Sequence, residues 1–178
     1  MSVVEIGWTE DDSEHDARVH VIRTAWHAAY RHIFTRREID GVFDGDLEGV
    51  GSWVTGRKSA VGNLAARRAG ELIGLASLGL RGASTGELAA LYVVPQEQGR
   101  GVGTLLWNRS VAELTKWGCD VIEVWTLARA EAWRFYEARG CRRIAEGTFD
   151  LPGHREAAIG YALTLSGGGS SAASSQAR

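Results

Sequence analysis

Apolar residues recur along this chain at two periods, and the switches between them mark out its elements. Val19, Ile22, Trp26, Ala29, Tyr30 and Ile33 fall three and four positions apart, the spacing of one helix face. Ser13, with Asp16 three positions on, is placed to cap that helix. Thr35-Arg36-Arg37-Glu38 repeats the capping pattern and opens a second helix carrying Ile39 and Val42. Residues 2–8 read as a short strand ahead of both. The glycine-rich stretch from Gly41 to Asn63 reads as a loop with a short helix around Val50 to Val54. From Leu64 the pattern turns strand-like. Segments 64–68 and 71–80 flank the turn Ala69-Gly70 as a hairpin, and 87–94 follows the turn at 81–86 as a further strand. A helix then runs to Trp117, with Leu106, Ser110, Leu114 and Trp117 on one side and Gly118 as its stop. Asp120 to Leu127 is a strand rich in Val, Ile and Trp. Glu131 to Arg139 is a short helix showing Ala132, Phe135 and Tyr136 on one face. Strands at 142–151 and 156–165, joined at Pro152-Gly153, complete the order.

That order, one strand, two helices, three strands, then helix, strand, helix and two strands, predicts a mixed α/β sheet. The central helix crosses between two strands that should run parallel. Residues 1–165 read as a single domain. Residues 166–178, a Gly/Ser/Ala tail, have nothing to bury and are expected to be disordered.

Composition narrows the class. With 178 residues, 44% hydrophobic and 24% charged, the chain can bury a core. A net charge of −2 gives no general attraction to nucleic acid or to an anionic membrane. No apolar run approaches the ~20 residues that span a bilayer, and the N-terminus has no basic-then-apolar leader. Cys119 and Cys141 are isolated and lack metal or redox spacing, so reduced thiols in a cytoplasmic protein are expected. His27 and His32 are five apart, a poor helical ligand pair, and no metal site is expected.

The chemistry concentrates in VVPQEQGRGVGTLL, Val93 to Leu106. Gly99, Gly101 and Gly103 alternate just where a strand gives way to a helix. A helix start carries unpaired N–H groups and roughly half a positive charge, and glycines let a ligand approach them. The stretch is therefore a candidate diphosphate cradle, with Arg100 as an added charge. A glycine turn that lets strand and helix pack closely is the plainer alternative. The dinucleotide fingerprint fails, because Thr104 or Leu106 stands where its last glycine is needed. The P-loop lacks its Gly-Lys-Ser/Thr.

Gln98-Gly99-Arg100-Gly101-Val102-Gly103 has the form Q/R-x-x-G-x-G/A and follows Leu91-Tyr92-Val93-Val94-Pro95. Ala132-Trp133-Arg134-Phe135-Tyr136-Glu137-Ala138-Arg139-Gly140-Cys141 is similar to A-x-x-F-Y-E-x-x-G-F. Together, in this order around a strand, they resemble the two motifs of the GNAT superfamily of acetyl-CoA-dependent N-acetyltransferases. Element order agrees from Val3 to Leu165. Cys141 replaces a frequent Phe, and Arg129 stands where many members carry Asn.

The resemblance implies a GNAT-like mixed, mostly antiparallel sheet with a central splayed parallel strand pair, flanked by helices. It implies a pantetheine arm in the gap, bonded to the backbone of Leu91, Tyr92 and Val93. The diphosphate would lie on the backbone of Gln98, Gly99, Arg100, Gly101, Val102, Gly103 and Thr104. Arg129 would meet a phosphate of coenzyme A. A bulge would expose the Val93 N–H as oxyanion donor. Glu87, six positions before Val93 on the same strand face, is the implied base, with Glu123 as rival, and Tyr136 is the implied acid. Trp26, Tyr30, Phe34 and the Phe149–His154 region would wall the acceptor site, with Asp40, Asp44 and Asp46 available to attract a cationic amine. The function implied is direct acetyl transfer from acetyl-CoA to a primary amine, of a small molecule or a protein. The alternative is an inactive acyl-CoA-binding sensor or interaction domain, and a nucleotide-binding domain is a third. An edge strand offers pairing of two copies into a homodimer.

Overall fold

The computed structural model describes residues 2–9, 14–43, 60–151 and 154–165. Ser13, Asp44, Asp46, the short helix expected at 50–54, the Pro152-Gly153 turn and the tail at 166–178 lie outside the described residues.

The described elements are β1 (Val4–Trp8), α1 (His15–Tyr30), α2 (Arg36–Phe43), β2 (Ala60–Arg68), β3 (Glu71–Leu80) and β4 (Thr85–Val93), then α3 (Val102–Lys116), β5 (Val121–Leu127), α4 (Trp133–Glu137), β6 (Arg142–Leu151) and β7 (His154–Thr164). A 3-10 turn at Pro95–Glu97 separates β4 from the glycine loop. The element order matches the one read from periodicity. The capping box at α2 forms as expected: the Thr35 N–H donates to Glu38 Oε2 (2.7 Å) and the Glu38 N–H to Thr35 Oγ1 (3.3 Å).

The strands form a seven-stranded sheet in the order β1-β2-β3-β4-β5-β7-β6. All neighbours are antiparallel except β4 and β5, which α3 connects by a crossover. This is the mixed, mostly antiparallel architecture expected. One face of the sheet packs Leu64, Leu78, Leu88 and Ile122 against Leu106 and Leu114 of α3. The other packs Leu75, Leu127 and Leu151 against Val21, Ile22 and Trp26 of α1 and Ile39 and Phe43 of α2.

The buried stripe of α1 differs from the periodic one. Val21, Ile22, Ala25 and Trp26 are buried, Val19 is only partly so, and Ala29 is exposed. The helix leaves the sheet at its C-terminal end. Its last turn lines a cavity there, with Tyr30 packed on Trp26 and Phe34 at the edge of the core.

The feature that positions the site is a wedge between the two parallel strands. β4 and β5 pair from Thr85 opposite Val121 only to Leu88 opposite Val124. Beyond that point β5 stays bound to β7 through Leu127. β4 departs because it carries a bulge: Ser77 of β3 faces Ala90, but the adjacent Leu78 faces Leu88, which leaves Ala89 as an extra residue. Such an insertion bends its strand and raises the local twist. On the far side of the wedge the Trp125 ring lies over β7 so closely that a Cβ at Gly160 would sit 2.8 Å from it.

Candidate active site

The wedge opens into a cavity of about 900 Å³. Leu91, Tyr92 and Val93 form one side, and the glycine loop through Thr104 forms a second. Ala132, Phe135 and Arg139 form a third, and the end of α1, from Ala25 to His32, covers it. Folding thus brings the two sequence motifs to one place.

The loop presents bare amides. Gly101 caps α3 with φ +86° and no side-chain hydrogen bond, and Gly99 is also left-handed at φ +72°. L side chains avoid both conformations. The first amide of this segment to find a backbone acceptor is that of Leu105, which donates to Gly101 O. The N–H groups from Gly99 to Thr104 therefore have no partner within the described residues, as at any helix start without a capping side chain. No atom lies within 4 Å of where a Cβ would stand on Gly99 or Gly101, so a ligand can reach the backbone.

The run of unpartnered amides begins at Gly99 and leaves out Gln98. The Gln98 amide donates to Pro95 O (3.2 Å) and its side chain donates to Val93 O (2.9 Å). Gln98 braces the loop against the strand.

Strand pairing sorts the three β4 residues. Val94 N–H donates to Ile73 O (2.9 Å), and Val93, Tyr92 and Leu91 face Gly74, Leu75 and Ala76. Because antiparallel backbone groups alternate in direction, Val94 and Tyr92 turn theirs toward β3, while Val93 and Leu91 turn theirs into the wedge. The Tyr92 backbone is thus committed to the sheet, and this residue enters the cavity through its side chain. The bulge is at Ala89, not beside Val93, so of the two residues turned into the wedge Leu91 is the nearer to it.

Three charged residues stand elsewhere than expected. Arg100 is 55% exposed, faces Glu97 at 3.6 Å and does not line the cavity. Arg129 lies across the end of α1: it donates to His32 O (3.3 Å), His32 Nε2 meets Arg129 O (2.9 Å), and Glu156 is 3.9 Å away. It clasps two segments together instead of pointing at the cradle. Glu87 is only 4% exposed, is bound by Arg81 at 3.1 Å and does not line the cavity. Arg81 also meets Glu123 (3.5 Å), the residue directly across the parallel pair from Glu87. Glu87 therefore belongs to the closed half of the pair, about 13 Å along the strand from Leu91 at ~3.3 Å per residue.

Sequence reasoning passed over Arg139. Its guanidinium lies 3.4 Å from the Phe135 ring centroid and donates to Thr104 Oγ1 (2.6 Å) and Phe135 O (2.8 Å). No described carboxylate pairs with it, and desolvation, its leading influence, pulls its pKa down. It is a held cation on the cavity wall beside the cradle. Its spacing of four from Phe135 was the available signal, since that places a cation over a ring on one helix face.

Tyr136 is buried among Trp107 (5.9 Å between rings), Phe135 (5.4 Å) and Tyr161 (6.5 Å), on the α3 side of the sheet; its neighbour Phe135 lines the cavity and Tyr136 stands behind it. Burial drives its hydroxyl pKa far above the ordinary tyrosine value, with Tyr92 contributing. Tyr92 and Tyr30 sit on the α1 side, packed against the cluster that contains Trp26. Burial raises both of their pKa values as well. All three hydroxyls are neutral hydrogen-bond donors at physiological pH.

Of the expected acceptor walls, Tyr30 lines the cavity, whereas Trp26 and Phe34 belong to the α1–α2 core. Asp40 is not available to a cationic amine. Arg23 (2.6 Å), His27 (2.9 Å) and Arg36 (3.7 Å) surround it, and the Arg23 and then the His27 hydrogen bonds hold its carboxyl below the usual range.

The sheet is wedged open at its one described parallel pair, and the unpartnered helix-start amides lie beside the gap. The chain belongs to the acetyltransferase (GNAT) family, which matches residues 16–141. It is 27% identical over 155 residues to the uncharacterized N-acetyltransferase YuaI of Bacillus subtilis (strain 168), covering 84% of this chain and 86% of that one. Its fold is similar to that of the PaiA N-acetyltransferase of Thermoplasma acidophilum in complex with coenzyme A, with a TM-score of 0.71, 18% identity and coverage of 92% and 99%. It is also similar to the putative acetyltransferase yncA of Salmonella typhimurium with acetyl-CoA, with a TM-score of 0.64, 22% identity and coverage of 97% and 99%. Among the described residues, no helix is long and apolar enough to cross a membrane.

Proposed function

We propose that this protein transfers the acetyl group of acetyl-CoA directly to a primary amine. The observation that carries the reading is the row of unpartnered amides from Gly99 to Thr104, opening onto a wedge whose β4 edge is unpaired. Two solved structures of this fold are described with coenzyme A or acetyl-CoA, which supports the same ligand here.

Each part of the site then has a task. The amides of the loop and first turn of α3 hold the diphosphate, and Arg139 supplies the counter-charge that Arg100 and Arg129 spend elsewhere. Val93 and Leu91 bond the pantetheine arm. The arm leaves the cradle, passes Val93 first and reaches Leu91 next to the bulge. The Leu91 N–H, and not that of Val93, is therefore the donor for the oxyanion. One such donor typically contributes about 3 kcal/mol.

The amine nitrogen attacks the thioester carbon and forms the C–N bond. As the C–S bond breaks, the Tyr136 hydroxyl, held neutral by burial, donates to the leaving sulfur. The attacking ammonium must first lose a proton, which costs roughly 4–5 kcal/mol at pH 7 for a pKa near ~10.4. That proton passes to water. Glu87, tied to Arg81 outside the cavity, holds the closed end of the strand pair.

An acceptor screen with acetyl-CoA, read as release of free thiol, tests the proposal, and turnover of at least one amine is expected. The distance of Glu87 from the wedge favours a second reading, an acyl-CoA-binding sensor. Tight acetyl-CoA binding with no amine turned over across a broad panel would establish it. Glu87→Gln separates the two roles of that residue. We expect a loss of about 1–2 kcal/mol of stability in denaturant unfolding, as one buried ion-pair contact weakens. The pH dependence of kcat/KM should keep its acid limb. Disappearance of that limb in a folded variant would make Glu87 the base after all.

A further inference from the structure

α1 and α2 enclose a second cavity, of about 780 Å³, beside the first. Its described wall includes Arg23, Arg31 and Arg36, with His20 and His27, against the single carboxylate of Asp40. That carboxylate is already bonded by Arg23 and His27 and approached by Arg36. The described lining therefore carries an excess of positive charge, although the whole chain has a net charge of −2. Arg31 makes no hydrogen bond or ion pair with a described residue, and it lines both cavities. It stands at the doorway between them, just past the end of α1.

A cation at a helix C-terminus is ordinarily stabilised by the helix dipole, and that alone would account for Arg31. It does not account for Arg36, which sits exposed at the start of α2, 3.7 Å from an Asp40 carboxylate that Arg23 and His27 already bond, and lines the same cavity. We propose that the amine acceptor carries a carboxylate, which seats on Arg31 and Arg36 while its amino group reaches into the acetyl-transfer cavity. The inference rests on the acetyltransferase reading and names its substrate class: amino carboxylates, not polycationic amines. Guanidinium groups suit this role because their planar fork matches a carboxylate.

The test uses straight-chain ω-amino carboxylates of graded length, each paired with its own amide. Each is titrated into the full-length protein saturated with coenzyme A and followed by tryptophan fluorescence, so no turnover is needed. We expect carboxylates of fitting length to bind at least about tenfold more tightly than their amides, as for a hydrogen-bonded charge pair. The double substitution Arg31→Gln, Arg36→Gln should erase that preference and leave the affinity of the amides unchanged. Equal affinity of the paired forms, or a preference that survives the double substitution, overturns the inference while the acetyltransferase reading stands. Failure of coenzyme A itself to bind overturns both.

Discussion

Gly101→Val is expected to weaken acetyl-CoA binding by at least about a hundredfold while the protein stays folded. Two effects combine. The residue sits at φ +86°, a conformation that costs a β-branched side chain on the order of 1–3 kcal/mol, so the loop will shift to relieve it. Any shift turns the amides of Val102, Gly103 and Thr104 away from the diphosphate. Hydrogen bonds to a charged group contribute about 1.5–3 kcal/mol each, so losing two of them suffices for the expected drop. The new methyl groups would also project into the open space that the ligand needs, since no protein atom lies within 4 Å of that Cβ position. For the same reason there is no internal clash to unfold the chain. Isothermal titration with acetyl-CoA, alongside circular dichroism, measures both halves. Unchanged affinity in a folded variant would remove the cradle from the account.

Tyr136→Phe is expected to lower kcat by about a hundredfold or more, within the range for loss of a positioned proton donor, with acetyl-CoA affinity close to native. The ring keeps its packing against Trp107, Phe135 and Tyr161, so only the hydroxyl is lost. The sign of the pH dependence follows from burial. A hydroxyl whose pKa is raised stays protonated well past the ordinary value near ~10, so the native enzyme should show no loss of rate from Tyr136 ionisation below that pH. Single-turnover thiol release across a pH series reads both the size and the profile. A kcat near native in the Phe variant would return Tyr136 to the core.

Much of this protein was legible from local pattern. Thr35 and Glu38 announced a helix start because both partners of the capping box lie within one turn. The glycine loop announced a row of unpartnered amides because these are a property of any helix N-terminus without a capping side chain. The charged side chains were read less well. Arg129, Glu87 and Gln98 looked free for chemistry and are each engaged. Arg129 lies against His32, 97 positions away. Glu87 is bound by Arg81 from across a turn, and Gln98 braces Val93. Arg139 was given no role from the sequence and lines the cavity. A side chain's partner is chosen by what the fold brings near it, and no periodicity records that.

The sequence by itself determined the order and type of the elements, the two motifs and the helix start at the glycine loop. These rest on backbone preferences and on contacts within a few residues, where the cost of closing a loop is small. Only the tertiary structure decided which backbone groups are open. The wedge exists because one residue, Ala89, is left over in the register between β3 and β4, so that β5 keeps β7 and loses β4 beyond Leu88. Register is settled by pairing among strands far apart in the chain. It turned Leu91 and Val93 toward the cavity and Tyr92 toward β3, a choice that the same residues in another register would reverse.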